Sequence, residues 1–92
     1  SPDEKKVITP EYIISVVAEH YGVTPADLSG NKRNSKIVMP RQVSMYLCRE
    51  IISTPLKNIG KALGNRDHTT VMHGIEKIEN ELQNDDNLKK YH

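Results

Sequence analysis

The sequence predicts an all-α fold, a compact helical domain, and three observations carry that expectation. Thr9-Pro10, Thr24-Pro25 and Thr54-Pro55 each have the form of a helix start, a hydroxyl cap followed by proline in the first turn. Gly22, Gly30 and Gly64 stand where helical patterns run out. Between these marks, apolar residues recur at three- and four-residue spacing, the period of a helix with one buried side.

The chain has 92 residues, which suits one domain with an economical core. Residues 1–8 read as a linker or terminal segment, and residues 9–92 as the domain. No apolar run approaches the ~20 residues of a membrane span, and no leader pattern opens the sequence. The expectation is a cytoplasmic protein without a membrane partner, and the single cysteine, Cys48, fits a reducing compartment. With no Phe or Trp, the core must come from Ile, Val, Leu, Met and Tyr. The net charge of +1 conceals a pattern. Residues 1–30 balance at −3, residues 31–77 at +6 and residues 78–92 at −2. A basic centre between acidic ends suits a face that meets a polyanion.

Thr9-Pro10-Glu11 starts the first helix, with Ile13, Ile14, Val17 and Tyr21 on one stripe and Gly22 as its stop. Thr24-Pro25-Ala26-Asp27 starts a short second helix that ends near Ser29-Gly30. Asn31-Lys32-Arg33-Asn34-Ser35-Lys36 holds no apolar residue and three cations, so it reads as a basic loop able to touch phosphates or enter a minor groove. Val38 to Ser53 reads as a long helix with Pro40 in its first turn and Val43, Leu47 and Ile51 inward; Cys48 is expected in the core beside them. Leu56 to Leu63 reads as a short helix with Leu56, Ile59 and Leu63 inward. Gly60 in its middle costs about 1 kcal/mol relative to Ala. A close helix crossing would justify it.

The last long helix opens at Gly64-Asn65-Arg66-Asp67-His68-Thr69-Thr70-Val71-Met72-His73. Val71, Ile75, Ile78 and Leu82 form its inward stripe, and Asp67 is placed to cap it. The pattern fades after Leu82 through Asn84-Asp85-Asp86, with one further turn expected from Asn87 to His92. A short helix, a tight glycine turn and a longer helix make a helix-turn-helix pattern. The outer side here starts with Asp, His and Thr rather than the usual Glu and Lys. Such side chains donate, accept and offer methyl groups, which is what reading base edges requires: a carboxylate accepts from cytosine, and a threonine methyl meets the thymine methyl.

These residues resemble the C-terminal DNA-binding domain of the DnaA family of bacterial replication initiators. Ile59-Gly60 and Gly64 through His73 are similar to its signature, and Pro40-Arg41-Gln42 and Tyr46-Leu47-Cys48-Arg49-Glu50 fit its upstream part. The resemblance covers roughly residues 9–83. It implies recognition of DnaA boxes, short A·T-rich duplex sites resembling TTATCCACA, for initiation and regulation of chromosome replication in the bacterial nucleoid. Arg33 would enter the minor groove, and Asp67, His68, Thr69, Thr70 and Met72 would face base edges. Lys32, Arg41, Gln42, Arg49, Leu56, Lys57, Arg66, His73 and Lys77 would lie on the DNA backbone or groove edges. ATP and Mg²⁺ belong to an upstream domain of the family whose Gly-Lys-Ser/Thr loop is not in this sequence, so no cofactor is expected here. The isolated domain is expected to be monomeric and the full-length protein to assemble on origin DNA. Four positions depart from the pattern: Asn65 replaces a second glycine, Gly74 replaces a usual alanine, and Asn31 and Ser35 stand where some members have basic residues.

Other readings fare worse. Asp67, His68 and Thr69 are consecutive, so on a helix they point about 100° apart and cannot relay a proton as a catalytic triad. His68 and His73 are five apart rather than the four of a helical zinc pair, so no metal is expected. The alternative is a helical protein-interaction module with nonspecific affinity for polyanions.

Overall fold

A computed structural model describes residues 8–90, with side chains through Asn84. The linker expected over residues 1–8 lies almost wholly outside the described residues, as do Tyr91 and His92. The described chain is all helical: α1 Pro10–Tyr21, α2 Pro25–Ser29, α3 Ser35–Ile52, α4 Leu56–Ala62 and α5 His68–Lys90. Helix α3 is the central member, packed against α1, α2, α4 and α5.

The two first Thr-Pro starts work as their chemistry requires. Thr9 Oγ1 accepts from Tyr12 N at 3.1 Å. Thr24 makes a full capping box: its hydroxyl accepts from Asp27 N at 3.0 Å while Asp27 Oδ2 accepts from Thr24 N at 3.2 Å. Thr54-Pro55 differs, because Pro55 itself takes the cap position and Thr54 is buried.

Helix α3 departs most from the sequence reading. It begins at Ser35 rather than Val38, so Ser35 and Lys36 leave the loop and Pro40 falls inside the helix instead of in its first turn. The extra turn is anchored by Ile37, which is buried, and the proline ring is itself enclosed in the core. The buried side is Ile37, Pro40, Arg41, Ser44, Met45 and Cys48. Val43 and Leu47 only flank it, and Ile51 is 54% exposed. The apolar stripe misleads here because an arginine and a serine with hydrogen-bond partners occupy the inward positions; Ser44 Oγ donates to Pro40 O at 2.9 Å. Tyr21 and Leu82, also expected inward, are exposed. Helix α5 does not end in the Asn84-Asp85-Asp86 stretch but continues to Lys90.

The core joins Ile13, Ile14, Val17 and Ala18 of α1 to Leu28, Met45, Cys48, Ile59, Leu63, Val71 and Ile75. Two glycines permit close approaches. A Cβ on Gly60 would collide with the carbonyl oxygen of Arg66, so the role expected of a helix crossing belongs to the returning turn. The helix crossing is at Gly74, where a Cβ would lie 2.5 Å from Met45 Sδ and 3.3 Å from Gln42 Cγ of α3.

Candidate nucleic-acid interface

The connection between α4 and α5 decides where the recognition helix points. Gly64 (φ 82°) and Asn65 (φ 62°) are both left-handed, a conformation that Gly and Asn tolerate best. This reverses the chain tightly enough for Arg66 N to donate to Gly60 O at 2.8 Å. Asp67 precedes the helix, its carbonyl accepting from Val71 N at 3.1 Å. Its carboxylate lies beside the next residue, with Oδ1 3.4 Å from His68 Nδ1.

Burial of Val71, Gly74, Ile75 and Ile78 fixes the rotation of α5. His68, Thr70, Met72, His73 and Lys77 are therefore exposed and Thr69 half-buried, so the six residues Asp67–Thr70, Met72 and His73 stand on or beside the outward side. The base-reading set expected on this helix is presented to solvent at its N-terminal end. That end carries the positive pole of the helix dipole, which favours anions.

The loop with Lys32 and Arg33 is held to the same end of the molecule. Arg66 bridges the two: its guanidinium donates to Leu63 O and, across 36 residues of sequence, to Gly30 O. Arg41 fixes the loop from below. Its Nε donates to Leu28 O at 2.8 Å, and its Nη2 to Lys32 O at 2.9 Å and to Asp27 O and Gly30 O at 3.2 Å. Burial, and then the charge of Arg66, lower the pKa of Arg41; burial also lowers that of Arg66. Lys32 Nζ lies 3.0 Å from Asp27 Oδ1, and that bond, together with the one from Thr24 N, holds the Asp27 carboxyl below its ordinary value. Arg33 is exposed beyond these anchors.

Two residues expected at the DNA edge are held by backbone carbonyls. Arg41 is only 6% exposed, with Nε and Nη2 committed to four backbone carbonyls, so it builds the loop rather than standing at the surface. Arg66 is half-buried with both terminal nitrogens on carbonyls, which makes it a clasp between turn and loop. A sequence shows the charge of an arginine but not the carbonyls that will claim it. Gln42 is half-buried against Gly74, and its Oε1 is a buried atom without a hydrogen-bond partner among the described residues.

Arg49, Lys57 and half-buried Leu56 come together with Asp67 and His68 around one open groove of about 790 Å³. Lys61 lines the same groove and was not among the expected residues. Its signal is visible in hindsight: it follows Lys57 by four, one turn along the outward side of α4. On the other side of Arg49 and Leu56 lies a cleft bordered by Glu50, Glu76 and Glu79. Among the described residues there is no group of three or more His, Cys, Asp or Glu placed to hold a metal, and no helix is long and apolar enough to cross a membrane.

A short helix, a tight turn and a longer helix with an exposed polar side define a helix-turn-helix domain. Residues 10–78 match the family model for the bacterial DnaA protein helix-turn-helix, and the chain belongs to that family. It is 46% identical over 85 residues to the chromosomal replication initiator protein DnaA of Lachnoclostridium phytofermentans, covering 92% of this chain and 19% of that protein. It is 55% identical over 86 residues to the DnaA of Oenococcus oeni, covering 94% of this chain and 19% of that protein. The chain thus spans about a fifth of the length of these relatives. The crystal structure of a DNA replication initiation factor superposes with a TM-score of 0.75 at 38% identity, over 80% of this chain and 23% of the other.

Proposed function

We propose that this domain binds double-stranded DNA sequence-specifically at DnaA boxes and so serves the initiation of chromosome replication. The observation that carries the reading is the clasp of Arg66 on Gly30, which fastens the start of α5 to the loop bearing Arg33. One rigid unit then offers a major-groove helix and a minor-groove finger together. Asp67, His68, Thr69, Thr70 and Met72 read base edges from the major groove. Arg33 reads the narrow minor groove of the A·T-rich part. Arg49 and Lys57 meet phosphates on the flank, with His73 and Lys77 along the helix, and these contacts orient the protein without reading sequence. Leu56 and Gln42 contribute at the groove edge.

The relatives are DnaA initiators, and on this reading ATP and Mg²⁺ are handled by a part of the initiator outside this domain. The isolated domain binds one box as a monomer, and assembly on origin DNA belongs to the longer protein. A titration of fluorescent duplexes at fixed salt tests the reading. A box duplex should bind at least tenfold tighter than its scrambled counterpart. Equal binding would reduce the domain to a nonspecific polyanion binder.

A further inference from the structure

The cationic groove and the acidic cleft share a wall made by Arg49 and Leu56. On one side, Lys57 and Lys61 stand one helical turn apart on the exposed side of α4, with His68 opposite. On the other, Glu50, Glu76 and Glu79 lie around Met72. The ion pairs among the described residues are Lys32–Asp27 and the His68–Asp67 approach, so neither lysine is ion-paired with a described carboxylate, and Asp67, on the same groove, lies against His68. A phosphate backbone passing the N-terminal end of α5 therefore meets attraction in the groove beside α4 and repulsion in the cleft bordered by Glu50 of α3 and by Glu76 and Glu79 of α5.

We propose that Lys61 holds a backbone phosphate of the DNA strand that flanks the recognition helix, one turn further along α4 than Lys57. The inference rests on the DNA-binding reading above and extends its footprint outward. The spacing supports it. Residues four apart on a helix lie about 6 Å apart along its axis, close to the separation of successive phosphates on one strand. Two adjacent phosphates can then be met by Lys57 and Lys61 in turn. The three carboxylates leave the strand no equally favourable path on the other side of Arg49.

Lys61→Gln tests this, because the residue is exposed and its removal disturbs no core contact. Binding of box and random duplex is measured against salt, with a thermal melt confirming that the variant is folded. Both affinities should fall by about fivefold at 0.15 M salt, and the slope of log K against log salt should become shallower by about 0.9. A scan of box duplexes carrying single neutral methylphosphonates then locates the partner. One such substitution should weaken the wild-type domain and leave Lys61→Gln unaffected. Unchanged affinities and slope in the folded variant would overturn the proposal, as would a loss confined to the box duplex. The wild-type measurements separate the two readings: no preference for the box sinks the function itself, whereas a preference with a silent Lys61→Gln sinks only this contact.

Discussion

Arg41 and Arg66 meet on a single acceptor: the carbonyl oxygen of Gly30 receives Nη2 of both. Two guanidinium groups, one from α3 and one from the turn before α5, thus converge on the base of one loop. Neither has a carboxylate partner among the described residues, and the charges are dispersed instead over backbone carbonyls. The arrangement is tolerable because each carbonyl presents two lone pairs, and Asp27 O accepts from Gly30 N as well.

Removing either arginine should therefore act on stability before it acts on DNA. Arg41→Met keeps the aliphatic bulk but orphans the carbonyls of Leu28 and Lys32, and should cost about 2–4 kcal/mol in urea denaturation. Arg66→Met, which takes the side-chain donor from Leu63 O while Gly30 O keeps Arg41 Nη2, should cost less, about 1–2 kcal/mol. A loss below 0.5 kcal/mol for Arg41→Met would show that the loop does not depend on it.

Gly60 and Gly74 should respond differently to the same methyl group. Gly60→Ala drives Cβ into the Arg66 carbonyl, a backbone atom that cannot move without opening the turn, and should destabilise by about 2–3 kcal/mol. Gly74→Ala meets the sulfur of Met45, near the end of a flexible side chain, and gains about 1 kcal/mol of helix propensity. Its net effect should lie within about 1 kcal/mol of zero. Thermal denaturation of both variants distinguishes these cases.

His68→Ala should cost about 1–3 kcal/mol on a box duplex and little on random DNA. Arg49→Ala, on the groove wall, should weaken both nearly equally and flatten the salt slope by about one. Fluorescence titrations at several salt concentrations read both effects. A box-selective loss for Arg49 or an unselective one for His68 would exchange their roles.

Cys48 supplies a pH prediction. Burial, assisted by Glu11, pushes its thiol from 9.0 up to about 11. The unfolded chain therefore releases this proton first, and between pH 9 and 11 the folded state holds more protons than the unfolded one. Stability should fall with rising pH across that window, by about 2 kcal/mol from this group. Cys48→Ala should be less stable at neutral pH through lost packing, but its stability should decline less steeply across the same window. Parallel slopes for the two proteins would contradict the assignment.

Legibility followed the kind of interaction involved. Helix starts written as Thr-Pro, the reversal at Gly64-Asn65 and the inward stripe at Val71, Ile75 and Ile78 are local, and the sequence states them directly. The same local period placed the outward side of α5, while the base-reading roles expected there came from the family resemblance. Helix α3 could not be read this way. Its inward side includes Arg41, which becomes acceptable in a core only once distant carbonyls satisfy it, and Ser44, whose hydroxyl is answered within the helix by Pro40 O. Likewise the reason for Gly60 is an oxygen six residues later, and the clasp of Arg66 lies 36 residues from its partner. Long-range partners leave no period in a sequence.

Asp27 serves two masters, Thr24 through one oxygen and Lys32 through the other. An arriving phosphate that claims Lys32 takes only the second of these, and the carboxylate keeps its hold on the helix start. The loop can hand over its cation like a clip changing hands, with the fold behind it undisturbed.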